Sequence, residues 1–195
     1  MRYAGLRGSC AAAQPHPALP GGIVAIVPMD HAAAIDAAYR ALAAGCRFLI
    51  ARGADAATVP AGVALRRGAN CLNELDRMLA VLIAAGGWGQ RAAGRTDVYV
   101  RAGDAAQQMY HATALRARFA PDLPRLRALA RVRALASGEL AVVAGSRPQH
   151  DLALALHGTA APGAGFALDA AALAVIAGFY LTLGDRLLQL AKGAP

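Results

Sequence analysis

Hydrophobic positions along this chain recur mostly at helical spacing, with short apolar runs between them that read as strands. Ile23 to Val27 is a compact β-branched run closed by Pro28, and it predicts a strand. Asp30 then stands at an N-cap position before His31 to Ala44, where Ile35, Ala38, Tyr39 and Leu42 share a helical face and Gly45 ends the segment. Arg47 to Ala51 predicts a second short strand, followed by a Gly- and Pro-containing loop as far as Gly68. Asn70 or Asn73 caps the next helix, which carries Leu72, Leu75, Leu79, Leu82 and Ile83 on one side and stops at Gly86-Gly87. A strand over Asp97 to Arg101 and an amphipathic helix from Asp104 to Ala120 come next. Beyond a polar joint at Ser146 to Asp151, Leu152 to Leu156 predicts one more strand, and Leu168 to Lys192 a long apolar helix.

The stretch between Pro121 and Gly145 carries the most chemistry. Arg125, Arg127, Arg131 and Arg133 share one parity with Leu129, whereas Leu126, Ala128, Ala130, Val132 and Ala134 hold the other. On a strand this gives one apolar face and one face of four guanidinium groups, each able to hold a carboxylate or phosphate bidentately. The same residues also fit a helix. Leu126, Leu129, Val132 and Leu135 recur every three positions, Ala, Leu and Arg favour helices, and Asp122 stands where a cap would. Local signals lean slightly to the helix, and Leu140 to Ala144 predicts a closing strand.

Composition narrows the field of functions. The chain has 195 residues, enough for one ordinary domain with a real core, and its 57% hydrophobic content with only 5% aromatics implies an interior of Ala, Leu and Val. The formal charge is +8, yet every basic residue except Lys192 is Arg, which matches a GC-rich coding sequence as much as a polyanion surface. No basic run exceeds two residues and no aromatics interleave with them, so nucleic acid is not the expected partner. Cys10, Cys46 and Cys71 are widely separated, with no His at metal spacing, and read as reduced thiols of a cytoplasmic protein without zinc. The run from Ala170 to Leu183 is about fourteen residues, short of the roughly twenty of a membrane span, and reads as a buried or interface helix. His31, His111, His150 and His157 are isolated, although Tyr110-His111 offers a donor on one helix. Gly86-Gly-Trp-Gly89 lacks the Lys-Ser/Thr of a phosphate loop, and no nucleophile elbow or dinucleotide fingerprint is present. No cofactor is expected.

From Cys46 to Gly145, order and spacing resemble the Rid/YjgF superfamily of enamine/imine deaminases. Gly45-Cys-Arg-Phe-Leu-Ile-Ala-Arg-Gly53 is similar to a strand of that family and its following Gly. Asn73 to Gly86 resembles its first helix, Val98-Tyr-Val100 its next strand, and Phe119 with the prolines after it the end of its second helix. Leu126-Arg127-Ala128 falls where the family has its carboxylate-binding Arg, and Gly138 to Ala144 where its last strand lies. Val-Tyr-Val-Arg with a late Arg-rich strand also resembles the chorismatase branch. The departures are Val142 where the family carries a Glu that positions water, and Tyr39 one residue out of register as the nearest counterpart of a family Tyr.

The resemblance implies an α+β fold, a Rid/YjgF-like (chorismate mutase-like) sheet with helices on one face, and Arg125 to Arg133 then as a strand. Residues 1–22 form a lead-in, 23–145 the Rid-like domain, and 146–195 an extension with a C-terminal helix. It implies a homo-oligomer, with a trimer favoured, and a hydrolase or chorismate-lyase-like enzyme acting on a small carboxylate. Arg127 would be its catalytic anchor, and Arg127, Tyr39 and Tyr99 would bind the substrate. The alternative is a catalytically inactive binding or interaction protein of the same fold.

Overall fold

The helix Ala61–Ala85 (α2) packs against four of the other six described helices. The structure, a computed structural model, describes residues 30–53, 61–88, 105–138, 147–156 and 168–193. In chain order its helices are α1 (His31–Arg52), α2, α3 (Ala105–His111), α4 (Thr113–Arg118), α5 (Leu123–Ser137), α6 (Arg147–Ala155) and α7 (Ala170–Ala191). None of the described residues lies in a strand. The α+β sheet, and with it the Rid/YjgF and chorismatase resemblance, is therefore overturned: the described chain is a helical bundle. The trimer and the hydrolase activity rested on that sheet and lose their basis with it.

α1, α2 and α7 form the main three-helix layer. The Asp30 carboxylate accepts from the Ala32 N–H at the start of α1, and Asp169 does the same for Ala172 at the start of α7. Tyr39 meets Asp185, Leu42 lies against Gly184, and Gly53 against Ala170 and Ala174, so α1 and α7 run antiparallel. A Cβ on Gly184 would sit 2.8 Å from Leu42 Cδ2, which shows how closely the two helices approach. Leu42, Leu72, Leu79, Leu82, Ile83, Ile176 and Leu183 are wholly buried. Each such side chain contributes about 1.5–3 kcal/mol relative to exposure.

Gly45 does not end α1, and Arg47 to Ala51 is not a strand. The helix continues through both to Arg52. Gly45 serves packing instead: a Cβ there would meet Met78 Sδ of α2 at 3.2 Å. α2 likewise starts earlier than its Asn residues indicate, and Gly86-Gly87 stops it as expected, with Gly87 at φ 75°.

α3 and α4 are one amphipathic segment broken at Ala112, whose ψ of 104° leaves the helical region. A turn at residues 119–122 leads into α5, with Pro124 in its first turn and Gly138 closing it at φ 80°. Leu123, Leu126, Leu129 and Val132 are the buried side of α5, the period of three rather than the alternation. Residues 152–156, expected as a strand, lie on α6 and at its C-terminal turn. α6 packs antiparallel on α5, through Arg131 to Asp151 and Arg125 to the Ala155 carbonyl. The strands expected at Ile23 to Val27, Asp97 to Arg101 and Leu140 to Ala144 fall outside the described residues.

α7 is long and apolar enough to cross a bilayer by length and composition, with a mean hydropathy of 1.5. In the bundle it is a core helix, and Leu173, Ile176, Phe179, Tyr180, Leu183 and Leu187 are its buried side.

Candidate functional site: two cavities and a dispersed arginine row

Winding the arginine row into α5 sends its four guanidinium groups in different directions, because successive helical residues turn by about 100°. Arg125 is buried, donates to the Ala155 carbonyl at 2.7 Å and lies 4.1 Å from the centre of the Phe179 ring. That burial lowers its pKa to about 10, so it still carries its charge at neutral pH. Arg131 holds Asp151 through Nε and Nη2 at 2.8 and 2.6 Å. Arg133 turns inward to Asp76 of α2 at 3.1 Å. Arg127 is exposed and makes no ion pair with a described residue, and its guanidinium lies 4.7 Å from the centre of the Tyr110 ring.

Of the other expected site residues, Tyr39 donates its hydroxyl to Asp185 of α7 at 2.5 Å, and that bond together with burial raises its phenol pKa. It ties α1 to α7, whereas Arg127 lies against Tyr110 of α3. Tyr99 and Val142 lie outside the described residues. Arg127 and Tyr39 are therefore not parts of one site.

Asp76, Arg133 and Tyr180 form a polar network inside the bundle. The Tyr180 hydroxyl approaches Asp76 Oδ1 at 3.4 Å, and the Ala105 N–H at the start of α3 also donates to the carboxylate. Burial raises the Asp76 pKa more than Arg133 and these donors lower it. The network joins α2, α3, α5 and α7, and its residues line neither of the two cavities described below.

The more enclosed of two cavities lies where the C-terminal end of α1, the N-terminal half of α2 and the start of α7 converge. Its volume is about 310 Å³, at the small end of ligand-sized pockets. Phe48, Leu49, Ala64, Leu168 and Leu173 make its walls predominantly apolar, and Arg52, Arg67, Cys71 and Asp169 supply the polar groups. The Asp169 carboxylate is turned onto the α7 cap at 2.8 Å. Arg52 lies 5.3 Å from the centre of the Phe48 ring, and neither it nor Arg67 makes an ion pair with a described residue. The Cys71 thiol has its pKa raised by desolvation, the opposite of an activated thiolate.

No known protein family, curated protein or solved structure matches the chain. Function has to be read from the residues themselves.

Among the described residues no cluster of His, Cys, Asp and Glu is placed to hold a metal ion. A second cavity, also about 310 Å³ but open and shallow, lies beside Arg127 and Tyr110. Sequence reasoning singled out Arg127 and passed over Arg52 and Arg67, both of which it left in the loop after the strand Arg47 to Ala51. A signal was present: Phe48 and Arg52 are four apart, neighbours on a helix face.

Proposed function

We propose that this chain is a small-molecule binding protein whose ligand is an amphipathic carboxylate seated between α1, α2 and α7. The observation that carries this reading is the cavity of about 310 Å³ with apolar walls and two guanidinium groups that no described carboxylate neutralises. The apolar body of the ligand lies against Phe48, Leu168 and Leu173. Its carboxylate takes charge-assisted hydrogen bonds from Arg52 and Arg67. Stacking of Arg52 on Phe48 limits the rotamer freedom lost on binding. Cys71 lines the cavity as a protonated thiol, which supports binding over covalent catalysis by that residue.

The test is calorimetric titration of hexanoate, octanoate and phenylacetate, each beside its uncharged primary amide. The carboxylates bind, and each amide is weaker by roughly tenfold or more because charged hydrogen bonds are lost. Arg52→Gln and Arg67→Gln each weaken carboxylate binding, while Arg127→Gln leaves it unchanged. Equal binding of acid and amide, or no binding of any acid, refutes the reading.

A further inference from the structure

The face of the bundle built by α3, α4 and α5 lies apart from that cavity and carries a different arrangement of charge. Tyr110 of α3 is 40% exposed, a large aromatic side chain left at the surface. Two guanidinium groups lie over its ring, Arg127 of α5 at 4.7 Å and Arg116 of α4 at 5.6 Å from the centroid. His111 meets the ring edge-on at 5.5 Å. Both arginines are exposed, and neither makes an ion pair with a described residue. The carboxylates on the neighbouring elements are already engaged: Asp122 with Arg186 at 2.6 Å and Asp151 with Arg131 at 2.6 Å. Among the described residues no carboxylate compensates these two cations.

We infer that this face docks an acidic segment of a partner protein, taking two of its carboxylates on Arg116 and Arg127. A guanidinium stacked on a ring keeps the N–H groups along its edge free, so it receives a carboxylate as a planar fork with its orientation already restricted. Both groups lie within 5.6 Å of one ring centroid, which places them in one patch of the surface. Acidic side chains two residues apart on an extended peptide point the same way, about 7 Å from one another, and suit such a pair. Beside Arg127 the open depression of about 310 Å³ is floored by Ala106 and Ala130 and edged by Gln107, leaving room for the intervening side chains. Nucleic acid fits less well, since the Tyr110 ring is covered by guanidinium groups and is not free to stack a base.

The experiment is fluorescence anisotropy of the full chain with a labelled peptide of alternating Glu and Ala at about 0.1 M salt, where screening is moderate. Its Gln–Ala counterpart and a short DNA duplex are the comparison probes. The Glu peptide binds and the Gln peptide does not. Arg116→Gln, Arg127→Gln and Tyr110→Leu each weaken the Glu peptide roughly fivefold or more, the last by removing the platform under both cations. Arg40→Gln, an exposed arginine of α1, changes nothing. The inference is overturned if Arg40→Gln weakens binding as much as Arg127→Gln, because general charge would then suffice. DNA binding as tight as the peptide, or no binding of the Glu peptide, overturns it equally.

Discussion

Replacing Asp76 by Leu removes one half of an ion pair whose side chains are only 7% and 14% exposed, and leaves Arg133 charged inside the bundle. Arginine cannot shed its proton at ordinary pH, so the single replacement costs about 3–5 kcal/mol, the usual loss when one buried partner goes. The reciprocal change, Arg133→Met, costs less. Asp76 already has a raised pKa from burial, and without Arg133 it neutralises itself by taking up a proton. The double replacement removes both charges and returns to within about 1 kcal/mol of the native chain, so the two single effects fail to add by 2 kcal/mol or more. Urea unfolding at pH 7, followed by far-UV circular dichroism, measures all four corners of this cycle. The pH dependence is an independent check. With its folded pKa above the reference value of 3.8, Asp76 contributes stability that is full below that value and lost as pH rises through the folded pKa. Arg133→Met moves that loss to higher pH, because the cation that opposed the shift is gone. Additive single effects, or an Asp76→Leu cost under about 0.5 kcal/mol, would show that water screens the pair and refute the reasoning.

Asp151 titrates with the opposite sign. Its hydrogen bonds from Arg131 hold its pKa below 3.8, so it contributes stability that is present above the reference value and lost as pH falls through the folded pKa. Asp151→Asn flattens the acid limb of a stability–pH curve; because the Arg131 side chain is 37% exposed, the change stays near 1 kcal/mol or less. Gly184→Ala and Gly138→Ala distinguish two roles of glycine. The first drives a methyl to 2.8 Å from the buried Leu42 and costs about 1–3 kcal/mol by overpacking. The second meets open space and costs only about 1 kcal/mol, from its φ of 80°. Thermal melts of the two variants check the ranking, and equal shifts would remove the packing argument.

α2 and α7 were legible because Leu, Ile and Phe recur along them at helical spacing over many turns. α5 was taken as a strand because the resemblance outweighed local signals that leaned to a helix, and alanine, which counts as apolar in either register, let the alternation stand beside them. The alternation opposite the arginines runs Leu126, Ala128, Ala130, Val132, Ala134, and three of those five positions are Ala. With Ala set aside, Leu126, Leu129, Val132 and Leu135 remain, spaced by three, and Leu126, Leu129 and Val132 are buried. Pro124 in the first turn and Gly138 just beyond the end bracket the same helix by rules readable in the sequence. The resemblance drew its strength from segments such as Gly45 to Gly53, where a glycine near a short apolar run fits a strand. Here that glycine admits Met78 of a neighbouring helix, a cause that appears only once the helices are packed.

Where the arginines go follows from a shortage of carboxylates. The chain has 20 basic residues and 12 acidic ones, and several acids are used in caps or buried pairs. Aromatic rings take up part of the remainder: Phe48, Tyr110, Phe119 and Phe179 each lie under at least one guanidinium. A ring binds the face of a guanidinium and leaves the fork along its edge open, whereas a carboxylate occupies that fork. Arg125 and Arg186 stack on rings too, but close their forks on the Ala155 carbonyl and on Asp122 with the Arg118 carbonyl. Arg52, Arg116 and Arg127 are stacked without such a partner among the described residues, which gives them orientation without neutralisation. Those three residues lie in the cavity between α1, α2 and α7 and on the Tyr110 face. An anion would meet them already aligned, and this is the physical reason to look for anion binding at Arg52, Arg116 and Arg127 rather than at Arg131, which already holds a carboxylate.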